Sequence, residues 1–498
     1  MKSDTPSRRL PTLISEFFTT PEECFDNVFS ASWKSLKLSQ LIHKSGFTKR
    51  SGLGISEAVF LLLVWKWINV SSIGMFARQS LGNFANASKD VMYDLLKRPD
   101  ISWRKLNLNL ASQVNKAPAI KNSSVRTFVL DDTVKARRGK KMEGVSSHFD
   151  HTEGRHVMGE QVLTLGLATD SAFLPLDSNI FISNVKVQEL NQPYADQRSV
   201  VAKRHQDALK NDKPAMAQAM IKRSQEQGIQ ADYLVADAWF GTKRMVDVAL
   251  TQQVTGVFRM KKGNLKFTTR LFMEDYQEHA LSLPELYAKV VKHQWRKVAG
   301  MPWKAQSVEA KLDLNTDQGK PPRWVSVKLL FVRGLKDGDK PQAGRKDWAV
   351  FLTTDPDMSM CKILEVYALR WSIEVYFKEA KQHLGFLQEQ TVSFASHIAS
   401  IHLTAMRYLI LIHTQAERHY QNPAAVRAEV KDQMNMLTMA GRLWQLFRAI
   451  IHGALNELVD VADVARIAEK IDEKVREFFV QSLQLDTFTM AQEYEPDI

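Results

Sequence analysis

The chain has 498 residues, enough for two or three domains, and 44% of them are hydrophobic, which fits a globular protein rather than a disordered or fibrous one. Its net charge of +12 and sequence pI near 9.4 suit a polyanionic partner. Two distant cysteines, Cys24 and Cys361, exclude a disulfide framework and a cysteine-built zinc site, and they fit a reducing compartment. No secretory leader is legible, and the most apolar run, Ala58 to Trp65, is interrupted by Lys66 and too short to cross a bilayer.

In chain order, residues 1–118 read as helical. Thr20-Pro21-Glu22-Glu23 has the pattern of a capped helix start. Ser56 to Asn69 is an apolar helix, and Ser88 caps another that runs to Leu96. Lys97, Arg98, Trp103, Arg104 and Lys105 follow. Short helices with basic and aromatic residues suit DNA binding; they equally suit a helical domain with a solvated basic face. From Arg126 the period changes. RTFVLDDT reads as a buried strand ending in Asp131 and Asp132. A basic loop with Lys135, Arg137, Arg138, Lys140 and Lys141 adjoins these acids. The stretch from Gly159 to Ser183 alternates apolar segments with turn residues and predicts a two-strand hairpin. Tyr194 to Gln227 reads as helix, and Ala231 to Asp237 as a second buried strand ending in an acid. Trp239 reads as a core residue, His148 and His151 as loop residues, and Gly52, Gly54 and Gly139 as turn glycines.

Residues 254–354 carry β-branched and aromatic runs divided by Gly, Pro and Lys, a β-rich segment. Helices follow: Tyr367 to Gly385, Ser396 to His413, Met434 to Ala454 and Val461 to Gln484, then a tail. Tyr367 to Gly385 reads as one helix. Its steps of three, four, four and three put Tyr367, Arg370, Glu374, Lys378 and Lys381 on one face. A carboxylate there can hold a metal while the cations reach phosphates, although Glu374 and Lys378 also make an ordinary i,i+4 surface pair.

The spacing of Tyr367, Arg370, Glu374 and Lys381 resembles the YREK signature of the IS-four group of bacterial insertion-sequence transposases, which use a carboxylate triad of two Asp and one Glu. The resemblance runs from about Arg126 to Gln390 and includes the DDT at Asp131-Asp132-Thr133 and the DAWF beginning at Asp237. It implies an α/β chain: an RNase H-like catalytic core with a β-rich insertion, flanked by helical N-terminal and C-terminal regions. The corresponding divisions are 1–118 (DNA binding), 119–253 (first part of the core), 254–354 (insertion), 355–395 (catalytic helix) and 396–498 (C-terminal helices).

The resemblance further implies cut-and-paste transposition, with Asp132, Asp237 and Glu374 holding Mg²⁺ or Mn²⁺, two ions per site. Arg370 and Lys381 would hold DNA phosphates, Tyr367 would hydrogen-bond one, and Trp348 would stack on a flipped base. Lys378 joins this set by helix geometry, and Lys135, Arg137, Arg138 and Lys140 by their position beside the acids. Implied partners are double-stranded DNA and a second copy of the chain on it, with no membrane, in a bacterial cytoplasm. A DNA hairpin intermediate is implied as well. Asp131 and Asp132 are neighbours on a strand, so their side chains point to opposite faces and only one can converge with Asp237 and Glu374. The residues alone do not choose. The resemblance chooses Asp132, the acid directly before Thr133, and leaves Asp131 to orient the loop around Arg137 and Arg138.

Overall fold

The computed structural model describes residues 28–435 apart from 69–71, 151–153, 272–276, 302, 316–320 and 335–347, and only scattered positions beyond 435. The helix start at Thr20, His151, nearly all of the two last expected helices, and the tail lie outside the described residues. The N-terminal part is helical: α1 (Val28–Ser35), α2 (Leu38–Lys44), α3 (Ile55–Val64), α4 (Ile73–Gln79), α5 (Asp90–Lys97), α6 (Trp103–Val114) and α7 (Pro118–Lys121). The α3 helix begins where Glu57 reaches back to accept from the Gly54 amide at 2.8 Å. Seven consecutive residues of α3, Ala58 to Val64, are fully buried, so this is a core helix.

The chain then enters the sheet. Strands β1 (Thr127–Ala136), β2 (Ser146–Asp150), β3 (Arg155–Ala168) and β4 (Phe173–Phe181) are antiparallel neighbours, with β3 pairing all three others. Two helices follow, α8 (Val200–Lys210) and α9 (Lys213–Glu226). The single helix expected over Tyr194 to Gln227 is divided at Asn211, because Asp212 starts a new helix by accepting from the Ala215 amide at 3.1 Å, with Pro214 in its first turn. Strand β5 (Tyr233–Ala236) lies parallel to β1. After α10 (Lys243–Thr251), β6 (Thr255–Arg259) lies parallel to β5. The order β4-β3-β1-β5-β6, three antiparallel strands followed by two parallel ones, is that of an RNase H-like fold.

The β-rich segment does not stand apart from this sheet. It supplies β7 (Lys266–Thr269), β8 (His279–Ser282), α11 (Leu283–Val290), β9 (Arg296–Lys297), β10 (Trp303–Asp313), β11 (Trp324–Gly334) and β12 (Trp348–Thr353). Its first strand, β6, is a core strand, and β12 pairs β6, so the sheet continues as β6-β12-β11-β10-β7-β8.

Helices α12 (Met360–Ala368), α13 (Trp371–Glu379) and α14 (Phe394–Arg418) complete the described chain apart from a further helical stretch after residue 422. The expected boundary at 396 falls inside α14. That helix is long and apolar enough to cross a membrane, yet every residue from Phe394 to Thr414 is buried within this fold. It packs against α1, α3, α5 and α6 as well as β4, and so binds the N-terminal helices to the sheet. Arg407, fully buried at its centre, donates to the carbonyls of Leu62, Leu63 (3.0 Å) and Leu384 (2.7 Å). One guanidinium thus satisfies the end of α3 and the end of the signature helix together.

Candidate active site

The acids are positioned by strand register. Leu130 pairs with Ala236 and Ala236 with Phe258, so Asp131, Asp237 and Arg259 stand level, one residue further on across three parallel strands. Strand β1 runs on to Ala136 against β3, so its two acids are mid-strand rather than terminal. The parallel pairing with β5 nevertheless stops at Leu130, and the sheet opens beside the acids. Asp131 Oδ2 accepts from Arg370 Nη1 at 3.1 Å, and Arg370 Nη2 donates to Glu374 Oε1 at 2.5 Å. Burial first, then the negative charge of Asp237, pushes the Asp131 carboxyl up to about 7, with Arg370 opposing. Asp237 Oδ1 accepts from the Trp239 amide at 2.9 Å.

Asp132 lines the same cavity as Asp131 and Asp237 but has other partners. Its carboxylate accepts from Lys213 Nζ of α9 and from Gln161 Nε2 of β3, each at 2.7 Å. Asp132 was expected to converge with Asp237 and Glu374; its bonds go to α9 and β3, and Asp131 is the acid linked to Glu374, through Arg370. The alternation of the strand turns Asp131 to the face carrying α13, and Asp132 to the face carrying α9. Nor does Asp131 orient the basic loop, since its side chain bonds Arg370 and the Asp132 amide.

The signature segment is not one uniform helix. The bonds from the Leu369, Arg370, Ser372 and Ile373 amides reach back three residues, to Val366, Tyr367, Leu369 and Arg370. This tightening separates α12 from α13. The end, Ala380–Leu384, widens into a π-helix and stops at Gly385, whose φ is +86°. The positive φ favours glycine there, and a Cβ would meet Lys66 Cε at 2.5 Å and push that side chain aside. Tyr367 therefore belongs to α12, half-buried with its ring 4.7 Å from that of Phe351 and 5.8 Å from the Arg370 guanidinium carbon. Burial raises its hydroxyl above the usual tyrosine range. Glu374 sits in the first turn of α13, Lys378 is exposed, and Lys381, unlike Glu374, lines the cavity at Asp131 and Asp237.

That cavity, about 440 Å³, brings together Asp131, Asp132, Asp237, Lys213, Trp239 and Lys381. Trp239, expected in the core, is 39% exposed, with the Lys213 ammonium 4.0 Å from its ring centre. His148 is not a loop residue: it is buried on β2, bonded to Ser146 Oγ at 2.9 Å, and lines the same cavity. Burial, then Lys213, lowers it to about 4. Trp348 is buried at the start of β12. Tyr287 stacks on it at 4.2 Å and Lys262 Nζ lies 4.5 Å from the ring centre, so the expected base-stacking ring is packed against neighbours of the insertion. In the basic loop, Arg138 and Lys140 are exposed and Lys135 is half-buried on β1. Arg137 turns inward to the buried Glu160 at 2.6 Å and is a structural residue.

Lys213, Gln161 and Arg259 were not singled out from the sequence. The signal for Arg259 was present: it closes the strand after Asp237, and parallel pairing sets the two level. Lys213 had none beyond its place at a helix start.

The acids are donors of the kind divalent ions take, although among the described residues no three acids or histidines stand close enough to hold one ion. Asp131 and Glu374 already share one cationic group, and carboxylate oxygens are the donors Mg²⁺ and Mn²⁺ prefer. An RNase H-like sheet with acids beside the opening between two parallel strands, joined through Arg370 to a helical glutamate, defines a class of nucleic-acid-processing enzymes. Residues 72–309 match the model of a family described as DDE superfamily endonuclease, which supports a DDE transposase-like, nucleic-acid-cleaving enzyme. The matched span takes in Asp131, Asp132 and Asp237 and ends before Glu374. No match to a curated protein is found.

Proposed function

We propose that the chain is a transposase that cuts DNA at the ends of its own element and joins those ends to target DNA. In this reading Asp131, Asp237 and Glu374 hold Mg²⁺ or Mn²⁺, two ions per site. The observation that carries it is the level register of Asp131 and Asp237, with Glu374 tied to Asp131 through a single guanidinium. The ions would supply an activated oxygen nucleophile and stabilise the leaving oxygen. Tyr367, Arg370, Lys378 and Lys381 would grip the phosphates flanking the cut, Lys381 from the cavity wall and Lys378 from the exposed side of α13. Arg138 and Lys140 would extend that grip, and Arg259, level with Asp237, would join it. Homodimerisation on two element ends and a hairpin route follow from the signature at Tyr367, Arg370, Glu374 and Lys381.

A plasmid assay with short inverted repeats from the flanking DNA tests the reading. Joined products that require Mg²⁺ or Mn²⁺ and vanish in Glu374→Ala are expected, with end binding retained. Cleavage without joining would point instead to a nuclease, and wild-type nicking by Glu374→Ala would sink the assignment of the acid.

A further inference from the structure

Among the described residues no set of three acids or histidines lies close enough to hold one metal ion. Arg370 stands between two of the acids. Its Nη1 donates to Asp131 and its Nη2 to Glu374, with the Arg370 and Asp131 side chains each only 17% exposed. Its Nε is buried and makes no hydrogen bond.

We propose that Arg370 is an internal counter-cation that holds the metal's place and is displaced when the metal enters. This rests on the reading of Asp131, Asp237 and Glu374 as the metal ligands. Asp131 already feels the negative charge of Asp237, and drawing Glu374 in as well would add to the repulsion that one guanidinium offsets only in part. Arginine keeps its proton, so it cannot be silenced by titration and has to move. Asp131 and Glu374 would hold a divalent ion with the oxygens that Arg370 now occupies, and the freed guanidinium would be available to a DNA phosphate. Metal and DNA then favour each other through one side chain, and the coupling is reciprocal.

The test is Mn²⁺ binding to the full chain, followed by electron paramagnetic resonance of the free ion. Without DNA, Arg370→Met is expected to bind Mn²⁺ at least about tenfold more tightly than wild type, the factor that about 1.4 kcal/mol of lost competition supplies. Arg370→Lys, which keeps the charge, should stay near wild type. A short duplex of arbitrary sequence should tighten Mn²⁺ binding by wild type and leave Arg370→Met unchanged. Equal or weaker Mn²⁺ binding by Arg370→Met overturns the inference and leaves the metal site standing. Undiminished Mn²⁺ binding by Asp237→Asn overturns the metal site itself, and the inference with it.

Discussion

Asp177 is the place where a single substitution tests whether the N-terminal helices and the catalytic sheet form one body. It lies on β4, its side chain fully buried, and accepts from Arg104 of α6 and Arg223 of α9, each at 2.9 Å. Arg204 of α8 donates to the neighbouring Ser178 carbonyl at 2.5 Å. Three guanidiniums on three helices therefore converge near one carboxylate. Asp177→Asn keeps the shape and removes the charge, leaving buried cations without their counter-ion. Breaking a buried pair in this way costs about 3–5 kcal/mol. Burial acts to raise the Asp177 carboxyl, but Arg104, Arg223 and Arg204 outweigh it and hold it well below the usual carboxylate range. Its stabilising contribution is thus complete above the unfolded value of about 3.9 and is lost as pH falls through the depressed folded value. Urea denaturation of wild type and Asp177→Asn should show a constant gap from pH 7 down to about 4, narrowing only below that. A gap under about 1 kcal/mol at pH 7, the size of a surface pair, would refute the reasoning.

Three further outcomes follow from the site. Arg138→Ala, Lys140→Ala and Lys381→Ala should each reduce the salt slope of log K for DNA by about 0.9, whereas Arg137→Ala should leave the slope unchanged because that side chain is spent on Glu160. Arg137→Ala should instead lower stability, read as a drop in Tm. Trp348→Ala should cost about 3–5 kcal/mol in urea denaturation, as for a buried core aromatic, and should leave DNA affinity at temperatures where the variant is folded near that of wild type.

The sequence made the skeleton legible wherever local pattern decides structure. The strands around Asp131 and Asp237 and the hairpin between them were readable from apolar runs bounded by turn residues. The four signature residues could be found because their spacing is fixed. What escaped were properties set by contacts distant in sequence. Nothing in RTFVLDDT tells which acid faces α13, since both faces of β1 are covered and both carry apolar residues. The resemblance chose Asp132, while the register turns Asp131 to Arg370. Arg137 and Arg138 are neighbours of the same charge, and only the buried Glu160 of β3 separates a structural role from an exposed one. Trp239 and Trp348 exchanged environments, because a strand pattern shows that an aromatic fits a sheet and not what lies on its faces. The divide at 396 falls inside α14, which packs on both the N-terminal helices and β4.

The central claim is that Asp131, and not Asp132, joins Asp237 and Glu374 in the chemistry. It is tested most directly by measuring cleavage of element-end DNA by Asp131→Asn and Asp132→Asn side by side, with Mg²⁺ or Mn²⁺ present and DNA binding checked for both. Asp131→Asn should bind DNA and fail to cut, while Asp132→Asn, which disturbs only the bonds to Lys213 and Gln161, should keep a measurable fraction of the rate. Full loss in Asp132→Asn with cutting retained in Asp131→Asn would contradict the account.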